Sequence, residues 1–103
     1  MIHVVATISL HPGTRSEFLD VFRWLTPHVR NEEGCIEYQA AIDIPTTLAI
    51  QEGPRPDVVT VVEKWENLEA LYSHTSAPHM AEYRARVKDF VSGVNLLVME
   101  PAT

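Results

Sequence analysis

A chain of 103 residues, 46% of them hydrophobic, is long enough for one domain with a modest core and too short for two. Its net charge of -6, with 14 acidic residues against 8 scattered basic ones, excludes electrostatic capture of nucleic acid or an anionic membrane surface. A single cysteine, Cys35, excludes an intramolecular disulfide; no apolar run is long enough to span a bilayer and the opening residues do not read as an export leader, so a cytoplasmic location is expected.

Residues 2–10 alternate, with Ile2, Val4, Ala6, Ile8 and Leu10 on one side and His3, Val5, Thr7 and Ser9 on the other, which is the period of a first strand. His11-Pro12-Gly13 ends it. Thr14 is then placed to cap a helix, its hydroxyl accepting from the amide of Glu17 while Glu17 occupies the capping-box position. Phe18, Phe22, Leu25 and Val29 recur at steps of four and three, drawing an apolar stripe along a helix expected from Arg15 to about Glu33. Pro27 lies inside it and should bend the rod or tighten its last turns. Gly34 suits a left-handed C-terminal position.

Cys35 to Ile42 reads as a second strand, with Ile36, Tyr38, Ala40 and Ile42 on one face and Cys35 as a small buried hydrophobe. Residues 43–57 hold three prolines and a glycine. They make a long connector with a possible short strand at Thr47–Gln51, of the kind that serves as a lid or an interface arm. Val58 to Trp65 is the third strand. Asn67 caps a short helix through Leu68 and Leu71, and Pro78 opens another whose stripe is Met80, Tyr83, Val87 and Phe90. Ser92-Gly93 should end that helix and Val94 to Met99 form a fourth strand.

The order β-α-β-β-α-β, with the second helical unit split at Pro78, predicts an α+β, ferredoxin-like fold: four antiparallel strands with helices on one face. Several strands are apolar on both sides. Val59 and Val61 oppose Val58 and Val62, and Leu97 and Met99 oppose Leu96 and Val98. Helices cover one face of such a sheet, so the other is expected to pack against a second copy, giving a homodimer joined sheet face to sheet face.

Chemistry-bearing residues concentrate between 62 and 84. Glu63 and Trp65 stand two apart on a strand and therefore share a face; a Glu so placed needs a partner or its carboxyl shifts toward the neutral form. His74 closes one short helix and His79 lies in the first turn of the next. Their five-residue spacing across Pro78 does not match a metal pair, and no Cys pair or His-Glu-x-x-His string accompanies them, so no metal site is expected. Imidazoles that titrate near neutrality serve well as acid/base or ligand-orienting groups. Tyr72 and Tyr83 could offer phenols to a ligand, and Arg84 could bind an anionic substituent. Each of these residues also has a plain packing or surface role open to it. There is no Gly-x-Gly-x-x-Gly, Walker-type or Gly-x-Ser-x-Gly string, so nucleotide cofactors and hydrolase chemistry lose support.

The stretch Val62-Glu63-Lys64-Trp65-Glu66-Asn67-Leu68-Glu69-Ala70-Leu71-Tyr72-Ser73-His74, followed by Ala77-Pro78-His79-Met80, resembles the Glu-x-Trp-Glu…His…Pro-His signature of the antibiotic biosynthesis monooxygenase superfamily, in its quinol monooxygenase and autoinducer-2 degrading branch. The heme-degrading branch, with an Asn on its first strand and an axial His on its last helix, fits less well: Thr7 and Ser9 occupy that strand here, and Arg84 stands near the other position. The resemblance implies a ferredoxin-like protein of the dimeric α/β barrel type that uses dioxygen on a small quinol- or polyketide-like aromatic without a cofactor. It implies Trp65 walling a pocket, Glu63, Tyr72, Tyr83 and Arg84 as substrate-binding, and His74 and His79 as the catalytic pair. Two alternatives accompany it: a non-oxygenase enzyme of the same fold, isomerase-like or autoinducer-2 processing, and a non-catalytic small-molecule-binding dimer.

Overall fold

The computed structural model describes residues 1–103. Its elements are β1 (Ile2–Leu10), α1 (Arg15–Arg30), β2 (Cys35–Ala41), β3 (Val58–Trp65), α2 (Leu68–Thr75), α3 (Pro78–Val87) and β4 (Val91–Met99). The strands form one antiparallel sheet in the order β2-β3-β1-β4, the ferredoxin-like βαββαβ arrangement expected from the element order. Alternation on β1 and β3 turns Val4, Ala6, Ile8 and Leu10, and Val59, Val61, Glu63 and Trp65, toward the helices. The α1 stripe of Phe18, Phe22, Leu25 and Val29 closes over them. Phe22 stacks on Tyr38 of β2 at 5.4 Å and meets Tyr83 of α3 edge-on at 6.2 Å, so one aromatic cluster joins both helices to the sheet.

Caps behave unequally. Asn67 Oδ1 accepts from the Ala70 amide at 2.9 Å and starts α2 as expected, an interaction that stabilises by about 1 kcal/mol. Thr14 does not form its capping box: its hydroxyl donates to the His11 carbonyl at 2.8 Å. The His11-Pro12-Gly13 turn presents that carbonyl at the hydroxyl, which leaves the Glu17 amide without the side-chain acceptor.

Four further expectations are corrected. Helix α1 stops at Arg30 with Asn31 as its C-cap, and residues 31–34 form a turn rather than a last helical stretch. In β2 the register shifts between Cys35 and Glu37, so Cys35, not Ile36, shares a face with Tyr38 and Ala40, and Ile36 is left exposed. A bulge carries one extra residue, which resets the alternation. Thr47–Gln51 is not a strand. Residues 43–57 are closed as a loop by Asp43, which accepts from Arg55 Nε at 2.7 Å and from its backbone amide at 3.0 Å, and by Gln51 donating to the Ile44 carbonyl at 2.7 Å. The Arg55 guanidinium and amide hold the Asp43 carboxyl down at about 2. Finally, β4 begins at Val91 and includes Ser92 and Gly93, because Ser9 pairs with Gly93 and Leu10 with Val91, which makes Ser92 the extra residue of a bulge in β4.

Gly34 earns its conformational freedom. It sits at φ +82°, and a Cβ there would lie 2.5 Å from Ala70 Cβ, while its carbonyl accepts from the Glu66 amide at 2.9 Å. The turn after α1 is thereby pressed against the start of α2. At the opposite edge the helices stop short. Val94, Leu96 and Val98 on the helix side of β4, and Leu97 and Met99 on the other, all remain exposed.

Candidate functional site

A cavity of about 230 Å³ lies between the sheet and the helices. Val4, Ala6 and Ile8 of β1 and Val61 of β3 floor it, Leu71, Met80 and Tyr83 roof it, and Val94 and Leu96 stand at its β4 edge. Against this apolar lining Tyr38, Glu63, His74, Thr75 and Arg84 bring the polar atoms. A few convergent polar groups in an apolar concavity are the usual form of a small-molecule site.

His74 is the most constrained of them. Its side chain is 5% exposed. The Trp65 ring lies 4.7 Å from it and the Tyr38 ring 5.5 Å, and its Nδ1 contacts Glu32 Oε2 at 3.0 Å and Oε1 at 3.2 Å. Glu32 belongs to the turn that Gly34 presses against α2. The same Oε2 meets His79 Nε2 at 2.6 Å. His79 in turn stacks on His28 of α1 at 5.7 Å, so the two helix-end histidines flank one carboxylate. The three do not converge as a ligand set, and no group of three or more His, Cys, Asp or Glu residues is arranged to hold a metal ion.

Glu63 accepts from the indole N–H of Trp65 at 2.9 Å. Burial pushes its carboxyl up, the Trp65 hydrogen bond and His74 oppose the shift, and Glu32 adds to it. Burial, with Glu63 close by, also pushes the phenols of Tyr38 and Tyr83 well above the ordinary range, so both remain hydrogen-bond donors. The Cys35 thiol is raised by burial and by Glu32 and Glu63, which suppresses the thiolate a nucleophile needs. Arg84 reaches the Thr75 carbonyl at 3.5 Å beside the cavity.

Of the residues singled out from sequence, Glu63, His74, Tyr83 and Arg84 meet in the cavity lining. Trp65 is fully buried behind Glu63 and His74 and does not wall the cavity; strand alternation gives it the helix-facing side, but Glu63 and the His74 ring stand between. His79 lies on the far side of Glu32, outside the lining. Tyr72 is 61% exposed on the outer face of α2, because Leu71 and His74 take its inner face. Two residues were not found from sequence. Tyr38 is signalled only by its place on β2. Glu32 carries no signal beyond being acidic before a glycine, since its partners stand 42 and 47 positions away.

The antibiotic biosynthesis monooxygenase family model matches residues 1–86. The chain is 34% identical over 103 residues to an Escherichia coli K12 protein named "Probable quinol monooxygenase YgiN", covering 98% of each. Among solved structures, one described as an antibiotic biosynthesis monooxygenase superposes with a TM-score of 0.82 at 19% identity over all of both chains. A Pseudomonas aeruginosa protein gives 0.82 at 20% identity over 99% of this chain and 94% of its own. These structural likenesses concern the fold. No helix of the chain is long and apolar enough to cross a membrane.

Proposed function

Because the chain belongs to the antibiotic biosynthesis monooxygenase family, we propose that it is a monooxygenase that oxidises a small electron-rich aromatic, quinol- or polyketide-like, with dioxygen in the 230 Å³ cavity. The carrying observation is His74: a buried imidazole at the wall of an apolar cavity, backed by a carboxylate.

In this reading His74 removes a proton from a substrate hydroxyl or activated C–H. The resulting anion is electron-rich enough to give an electron to dioxygen, and the apolar walls favour recombination to a peroxide. Protonated His74 then returns the proton to the peroxide, and the O–O bond breaks as the remaining hydrogen on the oxygenated carbon is lost, so that one oxygen stays in the product as a carbonyl and the other leaves as water with both hydrogens. Tyr83 and Arg84 supply donors to substrate oxygens, and Glu63, its carboxyl shifted toward the neutral form, faces them. Trp65 supports Glu63 and His74 from behind, His79 holds Glu32 from outside the cavity, and Tyr72, on the outer face of α2, takes no part. No flavin or metal enters the scheme; the substrate supplies the reducing electrons. We place the protein in the cytoplasm as a homodimer, joined through the apolar sheet face and β4 edge that the helices leave uncovered.

The test is oxygen uptake with a panel of hydroquinones and anthrones in metal-free, flavin-free buffer. Wild type should turn over at least one of them, and His74→Ala should lower kcat by about 10²- to 10⁴-fold. Equal inactivity of wild type and the His74→Ala, His79→Ala double variant across the panel overturns the reading.

A further inference from the structure

We propose that Glu32 is the positioning residue of this site: one carboxylate shared by two histidines sets the tautomer of His74 and turns its Nε2 to the cavity as the basic atom. This rests on the reading of His74 as the cavity's base. An ionised carboxylate only accepts hydrogen bonds, so the ring nitrogens that face it must carry hydrogens. His74 meets Glu32 through Nδ1, at 3.0 Å, and His79 meets it through Nε2, at 2.6 Å. Neutral His74 is therefore the Nδ1–H form and neutral His79 the Nε2–H form. In His74 the unprotonated Nε2 lies on the ring edge away from Glu32, and His74 is the one histidine of the pair that lines the cavity.

The ring cannot turn over to undo this. Trp65 and Tyr38 pack on it at 4.7 and 5.5 Å, and the side chain is 5% exposed. Glu32 is itself only 14% exposed and His79 21%. The carboxylate thus does for His74 what the acid of a catalytic triad does for its histidine, fixing orientation and stabilising the imidazolium when the proton arrives. His79 has a different place. It occupies the outer side of the same oxygen and holds the carboxylate against rotation. The pair first read as equivalent is then asymmetric, with one histidine at the substrate and one anchoring the anchor.

Ring ¹⁵N spectra of the two histidines, recorded on the neutral rings, test this without turnover. Wild type should show His74 as Nδ1–H and His79 as Nε2–H. Glu32→Gln, whose amide can donate as well as accept, should release His74 into a mixture containing the Nε2–H form and lower kcat by about 10²-fold or more on any active substrate. Glu32→Asp should retain the Nδ1–H form, and His79→Gln should leave the His74 tautomer unchanged with a smaller loss of rate. A wild-type His74 found as Nε2–H overturns the proposal, and so does a folded Glu32→Gln that keeps pure Nδ1–H. If Glu32→Gln does not fold, the Glu32→Asp and wild-type spectra decide, and an Nε2–H signal in either overturns it. If the tautomers are as stated but no aromatic is oxidised, the monooxygenase reading fails and the positioning of His74 stands.

Discussion

Replacing Gly34 by Ala probes the contact that brings Glu32 to His74. Two penalties are separable. A residue with a Cβ at φ +82° carries left-handed strain of roughly 1–2 kcal/mol. The new methyl would also fall 2.5 Å from Ala70 Cβ, an overpacking that costs about 1–3 kcal/mol as the turn and α2 move apart. Together they remove about 2–5 kcal/mol, and at roughly 4–8 °C per kcal/mol for a domain of this size the midpoint falls by at least about 8 °C. Gly13→Ala is the internal control: its φ is +81° but nothing lies within 4 Å of the added carbon, so only the strain remains, about 1–2 kcal/mol. The second arm is Ala70→Gly, which weakens the first turn of α2 by roughly 1 kcal/mol alone but removes the clash in combination with Gly34→Ala. Chemical denaturation of the four species of that cycle should give a coupling of about 1–3 kcal/mol in favour of the double variant. Coupling within about 0.5 kcal/mol of zero, or equal losses for Gly13→Ala and Gly34→Ala, would refute the claim that this approach is tight.

Burial raises the Glu63 carboxyl, so its contribution runs opposite to that of an ordinary paired acid. Stability is fully present below the unfolded-state pKa and is lost as pH rises through the folded one, because the folded state then holds an ionised buried group. Glu63→Gln keeps an acceptor for the Trp65 indole and removes that loss, so its melting temperature relative to wild type should be higher near about pH 8 than near about pH 4.5; a difference that is flat or reversed contradicts the burial argument. For assembly, wild type should sediment as a dimer, and Leu97→Glu, at an exposed β4 position on the outer sheet face, should shift it toward monomer. A monomeric wild type at micromolar concentration removes the case for the sheet-face pairing.

How far the site could be read in advance follows from the range of each interaction. The Asn67 cap, the Pro78 helix start and the shared face of Glu63 and Trp65 depend on neighbours within a few positions, and all three stand as expected. The errors sit where a local rule meets a nonlocal competitor. Thr14 has the residue type of a cap, but the His11 carbonyl captures its hydroxyl. Ile36 has the phase of a core position, but the bulge against β3 hands that place to Cys35. Tyr72 and Trp65 are aromatic and near the cavity in sequence, yet one faces outward and the other lies behind the lining.

By itself, then, the amino-acid sequence determines the order of strands and helices, the faces that β1 and β3 turn inward and, through the motif around Trp65, the family to which the chain belongs. Those are periodic, short-range properties. Only the tertiary structure decides which of the two histidines faces the cavity and that Glu32, unremarkable in its own segment, is their common partner. The reason is physical: at 42 and 47 positions of separation no local propensity links these groups, and they meet because Gly34 lets the turn after α1 close onto α2 at a distance no other residue would tolerate.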